Sequence, residues 1–339
     1  MKYDVKIDDA NEVKEEITAY LNPADGRILN RTSNFASLYD FGAVKYRHPV
    51  LVLKTEEPGS KQLIAARHDR IEGVCHDMVN HLINDCISMG ATPLAVQDAI
   101  ICGRLDKGIV KRIVKAVSEA CTNNGCLLTG GETSEQPGVL NDGTYILTSS
   151  IVGAVEKDEI IDGSGIQEGD IVIGLASNGV HTNGYTLVRK LMEERPEILD
   201  ADIAGESFID AILKPHSCYY PAIKDLFGAN SPLKGIAHIT GGGIKENLNR
   251  ILPKNLNAVI DLAAYDITPI FKVIRKYGEV SDAEMLRTFN MGVGLTVVVS
   301  PVDADKVIKH INGNGIAVKR IGVVVKGNGT VICENEFKW

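Results

Sequence analysis

Short apolar runs rich in Val, Ile and Leu alternate with stretches of helical periodicity along most of the chain, and that alternation narrows the fold more than any other feature. "HPVLVLKT" (48–55) reads as a strand between turn signals, with "KQLIAAR" (61–67) as its partner strand. "HDMVNHLINDCISMGA" reads as a helix capped at Gly90, and "PLAVQDAII" as a strand. The clearest helix is "DKGIVKRIVKAVSEACTNNG", where Val110, Ile113, Val114, Val117 and Cys121 share one side. "CLLTGG" and "GTYILTSSIVGAVEK" read as two further strands. A polar turn, "DGSGIQEGD" (162–170), then separates a second set: the strand "DIVIGLAS", the helix "TNGYTLVRKLMEE", the lead-in "GIAHIT", the strands "NAVIDL" and "GVGLTVVVS", the helix "DADKVIKHINGNG", and a closing hairpin in "AVKRIGVVVKGNGTVIC". The first 35 residues read as a polar arm with one short helix, "NEVKEEITAYL". The fold class is therefore α/β (α+β), with two α/β domains, 1–165 and 166–339. A chain of 339 residues is comfortable for two cores.

Composition excludes several classes of function. With net charge −8 and no long Lys/Arg run, broad binding to nucleic acid is not expected. No apolar run reaches the roughly 20 residues that span a membrane. The charged N-terminus lacks the apolar segment of a secretory signal. Seven scattered cysteines without a CxxC pair point to reduced thiols and a cytoplasmic location. Cys121 and Cys126 have no matching His/Cys pair for a zinc site. His76 and His81 are five apart, which does not fit the i, i+4 pair of a zincin helix.

Five stretches combine glycine with carboxylates, amides or histidine: "TEEPGSK", the "IND" ending at Asp85, "TGGETSEQPG", "SNGVHTNGY" and "HITGGGIKENLNRILP". In the last, Ile244, Leu248, Ile251 and Leu252 mark one helix face and Pro253 a stop, so Thr240–Gly243 sit at a helix N-terminus. Unpaired N–H groups and close backbone approach there suit a phosphate. Gly130-Gly131-Glu132-Thr133 reads either as a tight turn or as half of a magnesium site with Asp85, should the fold bring the two carboxylates together. Asp77, Asn80, His81 and Asn84 share a helix face, opposite Val79, Ile83 and Ile87. Such a stripe is ordinarily a solvated face. His181, just before a helix and beside Thr182 and Asn183, suits a structural donor or a polar ligand contact. Neither a P-loop nor a strand-borne G-x-G-x-x-G is present. Residue chemistry alone reaches a two-domain α/β protein with several phosphate-friendly loops.

These stretches, in this order, resemble the phosphoribosylformylglycinamidine cyclo-ligase (aminoimidazole ribonucleotide synthetase) family over about residues 48 to 325. "SNGVHTNGYTLVRK", "AHITGGGIKENLNRILP", "MLRTFNMGVGL", "GGETSEQPG" and "VGAVEKDEIIDG" carry the resemblance. It implies two α/β domains of this type, with N-terminal strands pairing across a homodimer. It implies ATP and Mg²⁺ as cofactors and formylglycinamidine ribonucleotide as substrate, whose ring closure follows phosphorylation of the formyl oxygen. By position it implies catalytic roles for Asp85, Glu132, His181 and Lys61. It places Glu56, Ser60, Lys61, Asp77, Asn84, Asp85, Gly131, Glu132 and Thr133 at the ATP end. Asp85 and Glu132 would hold the metal. His181, Asn183, Thr240, Gly241, Gly242, Gly243 and Asn290 would meet the substrate. Three stretches depart from the family's pattern. Its G-T-D-G-V-G-T-K reads Lys54-Thr55-Glu56-Glu57-Pro58-Gly59-Ser60-Lys61, its Tyr-Asp pair reads Tyr145-Ile146, and its Ala-Gly-Val-Asp reads Val5-Lys6-Ile7-Asp8. The departures leave open a relative that uses ATP on another amide or acyl group, and a non-catalytic nucleotide-binding subunit.

Overall fold

Two sheets organise the chain in a computed structural model that describes residues 17–21, 25–30, 35–43 and 46–339. Strands β1 (Pro49–Glu56), β2 (Thr92–Cys102), β3 (Leu127–Glu135) and β4 (Tyr145–Glu156) form the first, in the order β1-β4-β2-β3. Only β2 and β3 are parallel within it. Strands β5 (Ile171–Ala176), β6 (Leu233–His238), β7 (Leu256–Asp261), β8 (Val293–Val299), β9 (Val318–Lys326) and β10 (Val331–Glu334) form the second, in the order β10-β7-β9-β5-β8-β6. The expected boundary at 165/166 lies in the link between β4 and β5. Helices α1 (Lys61–Arg67), α2 (Ile71–Ile87) and α3 (Lys107–Asn123) accompany the first sheet. Helices α4 (Tyr185–Glu194), α5 (Phe208–Leu213), α6 (Tyr220–Ile223), α7 (Gly243–Leu248), α8 (Pro269–Gly278), α9 (Asp282–Thr288) and α10 (Ala304–Gly313) belong to the second. The N-terminal segment Val5–Asp8 and most of the helix expected over 11–21 lie outside the described residues, which hold a 3-10 turn at Thr18–Tyr20.

Local chemistry explains most of these elements. The Asp106 carboxylate caps α3 by accepting from the Ile109 N–H, and the five apolar residues expected on one side are buried. All seven residues of β8 are buried; six are apolar or glycine, and the Thr296 hydroxyl donates to the Ala237 carbonyl. Strand β1 alternates instead. Val50 and Val52 pack on the core, while Leu51 and Leu53 stand 54% and 70% exposed on the opposite face. That open face borders a cavity of about 620 Å³ lined by Tyr39, Phe41, Leu51, Leu94 and Val152, among others.

Two expectations are overturned here. Residues 61–67 form helix α1, not a strand, and β1 pairs with β4. Gly59, at φ 63°, turns the chain, and Lys61, Ile64 and Ala65 are then buried at helical spacing. The closing segment is not a hairpin, because β10 pairs in parallel with β7, and β7 separates it from β9. The Asn257 side-chain oxygen, Oδ1, draws the turn across β7, accepting from the N–H groups of Asn328 and Thr330 and from the Thr330 hydroxyl.

Helix α2 is buried nearly all round. One side faces the first sheet, and the other meets β6 and the segment before α6. Its polar stripe is thus not a solvated face. It is the seam between the two domains.

Candidate active site

The seam is built from backbone outward. Helix α2 places Asp77, Asn80, His81, Asn84 and Asp85 along one side, facing residues 214–219 of the second domain. Asp77 Oδ1 accepts from the His216 N–H at 2.6 Å, the Asn80 amide donates to the His216 carbonyl at 2.7 Å, and the Asn84 amide donates to the Ser217 carbonyl at 2.8 Å. The Tyr219 N–H returns to Asn84 Oδ1 at 3.0 Å. These side chains supply the partners that buried backbone groups demand.

Lys61 completes the seam from α1. Its Nζ sits 2.9 and 2.8 Å from the two Asp77 oxygens, 3.1 Å from the His181 carbonyl and 2.6 Å from the Lys214 carbonyl, with no solvent exposure. An ammonium has three N–H donors. All are taken, so no donor remains for a phosphate. Lys61, Asp77 and Asn84, expected at ATP, instead join the domains. Burial pushes the Asp77 carboxyl up to about 6, against the opposing pull of Lys61.

Four histidines crowd the same region. His181 and His216 stack with ring centroids 3.9 Å apart, and His81 and His238 meet edge to face at 4.9 Å. His216 Nε2 lies 2.9 Å from His238 Nε2, His238 Nδ1 lies 2.8 Å from Asp85 Oδ1, and His81 Nδ1 lies 3.2 Å from Thr182 Oγ1. Burial holds the His81, His181 and His216 rings below the usual imidazole range, His81 at about 4. His181 adopts φ 62°, and both of its ring nitrogens are buried without a protein partner. Lys54 Nζ bridges Asp85 Oδ2 and Glu56 Oε2 at 3.1 and 3.2 Å. Burial alone would raise the Asp85 carboxyl. The His238 hydrogen bond and the cationic surroundings outweigh it and hold the group well below the usual carboxylate range.

The phosphate-friendly loops converge beside these groups. A Cβ at Gly59 would lie 3.6 Å from the Thr182 carbonyl, and one at Gly241 would lie 3.3 Å from Asn183 Oδ1. Residues Gly242 and Gly243 take left-handed φ of 89° and 60°, which only glycine adopts freely. The Asn247 amide donates to the carbonyls of Thr240, Gly241 and Gly243, and its oxygen accepts from the Thr240 hydroxyl. Asn290 is consumed internally: its amide donates to the Gly179 carbonyl, and its oxygen accepts from the Ser177 hydroxyl and the Gly292 N–H. It shapes the 177–179 turn. Ser60 precedes α1 without a capping bond.

Asp85 and Glu132 are not brought together. Asp85 is ringed by His238, His81 and Lys54. Glu132 is exposed on β3 and accepts from the Thr133 N–H. With Gly131 it lines a different cavity, of about 370 Å³, shared with Asn30, Ser37, Gln97 and Asp98. Asp98 is the residue sequence reasoning missed there. A β-bulge after Val96 precedes it, and a Cβ at Gly131 would collide with its carboxylate. Its Oδ2 is buried with no partner, and burial pushes its carboxyl up to about 7. This cavity offers oxygen donors, as a hard divalent cation requires. The Asp85 cluster offers nitrogen and an ammonium, and does not fit Mg²⁺.

The comparisons with known proteins decide the family. Residues 40–155 match the N-terminal domain of AIR synthase related protein, and residues 167–334 match its C-terminal domain. The chain belongs to the AIR synthase related family. A phosphoribosylformylglycinamidine cyclo-ligase from Burkholderia multivorans is 41% identical over 322 residues, covering 94% of this chain and 91% of that protein. Among solved structures, E. coli HypE aligns with TM-score 0.70 at 16% identity, covering 96% of this chain and 94% of that one. Hydrogenase maturation protein HypE in complex with ATP aligns with TM-score 0.66 at 14% identity, covering 96% and 91%. At such identities these two establish the shared fold. Among the described residues, no helix is long and apolar enough to cross a membrane.

Proposed function

We propose that this enzyme closes the imidazole ring of formylglycinamidine ribonucleotide at the expense of ATP, as phosphoribosylformylglycinamidine cyclo-ligases do. The observation that carries this reading is the 41% identity to a protein of that name across nearly the whole of both chains. The convergence of the 59, 182–183 and 241 loops supports it, because three glycine-bearing turns then face one ligand. The unpartnered nitrogens of His181 add polar groups with no protein use.

The chemistry follows from leaving-group ability. The formyl oxygen is a poor leaving group until the γ-phosphoryl group moves onto it. The amidine nitrogen then attacks the formyl carbon, the C–O bond breaks, and phosphate leaves with a closed ring behind it. The protein's part is positioning and charge neutralisation. Asp98 and Glu132, in one polar cavity, are the residues suited to Mg²⁺, which when bound would offset the phosphate charge. The N–H groups of Gly241 and Gly242, free of protein partners among the described residues, would take the substrate's ribose phosphate. The exposed Leu51 and Leu53 face supports a homodimer through the first sheet.

A second reading has its own observation. Lys54 neutralises Asp85 and Glu56, and Lys61 is fully engaged with Asp77 and two carbonyls of the second domain, so both lysines of the 54–61 stretch are held by protein groups. A nucleotide-binding protein without turnover would show the same arrangement. Purified protein given ATP, Mg²⁺ and formylglycinamidine ribonucleotide separates the two. ADP and aminoimidazole ribonucleotide in equal amounts are expected. Ligand binding with neither product would replace the cyclo-ligase by the binding role.

A further inference from the structure

We propose that His81, Asp85 and His238 bind one borderline divalent transition-metal ion, of the zinc or cobalt kind, at the domain seam, with Glu56 as a fourth donor. His81 and Asp85 stand one turn apart on α2, and His238 ends β6. Their ligand atoms all lie within 4.8 Å of one another. His81 Nε2 is 3.6 Å from Asp85 Oδ2 and 3.5 Å from Glu56 Oε2, and His238 Nδ1 is 2.8 Å from Asp85 Oδ1. Donors held about 2.0–2.2 Å from one ion stand roughly 3–3.5 Å apart, so only small side-chain shifts separate this cluster from a coordination shell.

The outer contacts point the same way. The nitrogen of each ring that would not touch the ion already has a partner. His81 Nδ1 meets the Thr182 hydroxyl at 3.2 Å, and His238 Nε2 meets His216 Nε2 at 2.9 Å. Such contacts fix ring orientation and tautomer in metal sites. Both imidazoles are more than nine-tenths buried. Two nitrogens and carboxylate oxygens suit zinc, cobalt, nickel or iron over magnesium. Lys54 Nζ lies on the Asp85 and Glu56 oxygens that the ion would claim. Its side chain is 38% exposed, so an entering ion can drive it into solvent.

The test uses the full-length protein, stripped of metal, without nucleotide, so its outcome is independent of the cyclo-ligase reading. Titration with Co²⁺ is followed by visible absorption, and Zn²⁺ by its displacement of Co²⁺. The expected result is one saturable site per chain, unaffected by millimolar Mg²⁺. His81→Gln and His238→Gln should each weaken it at least about tenfold, and Thr182→Val about tenfold through ring orientation. Lys54→Met, at a half-exposed position, should tighten it by removing the competing charge. Absence of saturable uptake by folded protein overturns the proposal. So does equal uptake in both histidine variants, displacement by Mg²⁺, or unchanged affinity in Lys54→Met.

Discussion

Replacing Lys61 by methionine separates a structural lysine from a phosphate-binding one. In the folded protein its ammonium serves Asp77 and the His181 and Lys214 carbonyls, all away from water. Methionine fills similar volume and offers no donor. Asp77 would keep only the His216 N–H, and two carbonyls from the second domain would lose a partner. Removing one member of a buried pair costs about 3–5 kcal/mol, most of it the penalty of the charge left behind. That is a large part of the roughly 5–15 kcal/mol that holds a protein folded. With a urea slope of about 2–3 kcal/mol per molar, the unfolding midpoint should fall by about 1–2.5 M. Trp339, the one tryptophan, reports the second domain by fluorescence, and far-ultraviolet circular dichroism reports both. Adding Asp77→Asn removes the stranded charge while keeping an acceptor for His216, so the double variant should be more stable than Lys61→Met alone. A midpoint unchanged in Lys61→Met, with only ATP affinity lost, would refute the seam argument and return Lys61 to the phosphates.

Three further outcomes follow from the same geometry. Burial raises the folded-state Asp98 carboxyl to about 7, so its stabilisation is full below the unfolded value near 3.8 and is lost as pH rises through 7. Most of the loss falls between about pH 4 and 7, and between pH 6 and 8.5 it is about 1.4 kcal/mol, which should appear as a falling thermal midpoint that Asp98→Asn flattens. Gly243→Ala places a Cβ into the Leu286 carbonyl oxygen at φ 60°, and should lower stability by about 2–3 kcal/mol in urea unfolding. Thr240→Asp puts a negative charge beside the glycine loop and should weaken formylglycinamidine ribonucleotide by roughly three- to thirtyfold in calorimetry, about 0.7–2 kcal/mol. Unchanged affinity there would sink the phosphate assignment.

Strongly apolar strands such as β8 and the long amphipathic α3 were legible because one pattern dominates each of them. "KQLIAAR" misled because its four-residue apolar run, Leu63 to Ala66, fits either period, and only the turn at Gly59 and the burial of Lys61 select the helix. Helices α8 and α9, between the strands β7 and β8, had no assignment. The β10 pairing was invisible because it depends on Asn257, some 70 residues away in sequence. The site was legible by loop but not by partner. The resemblance put Lys61, Asp77 and Asn84 at ATP, and only the burial of α2 on both sides reveals them as seam residues. Asp98 stood unremarked in an apolar strand, where a lone carboxylate between Gln97 and Ala99 was itself the available signal. His216 and His238 lie far apart in sequence from α2, so their meeting with Asp85 has no local trace.

The polar seam also bears on how the chain folds during synthesis. The first sheet is complete at Glu156, but the backbone groups that pair with Asp77, Asn80 and Asn84 belong to residues 216–219. Strand β5 waits longer still, since both its neighbours, β8 and β9, begin beyond residue 290. For that interval the first domain shows water the carboxylate and amides of α2 where an apolar face would otherwise stand. Water can satisfy those groups until the second domain arrives, whereas an apolar helix face would recruit other nascent chains. An apolar replacement of the stripe could hold the finished protein equally well. Its penalty would fall on the yield of folded chains at the ribosome.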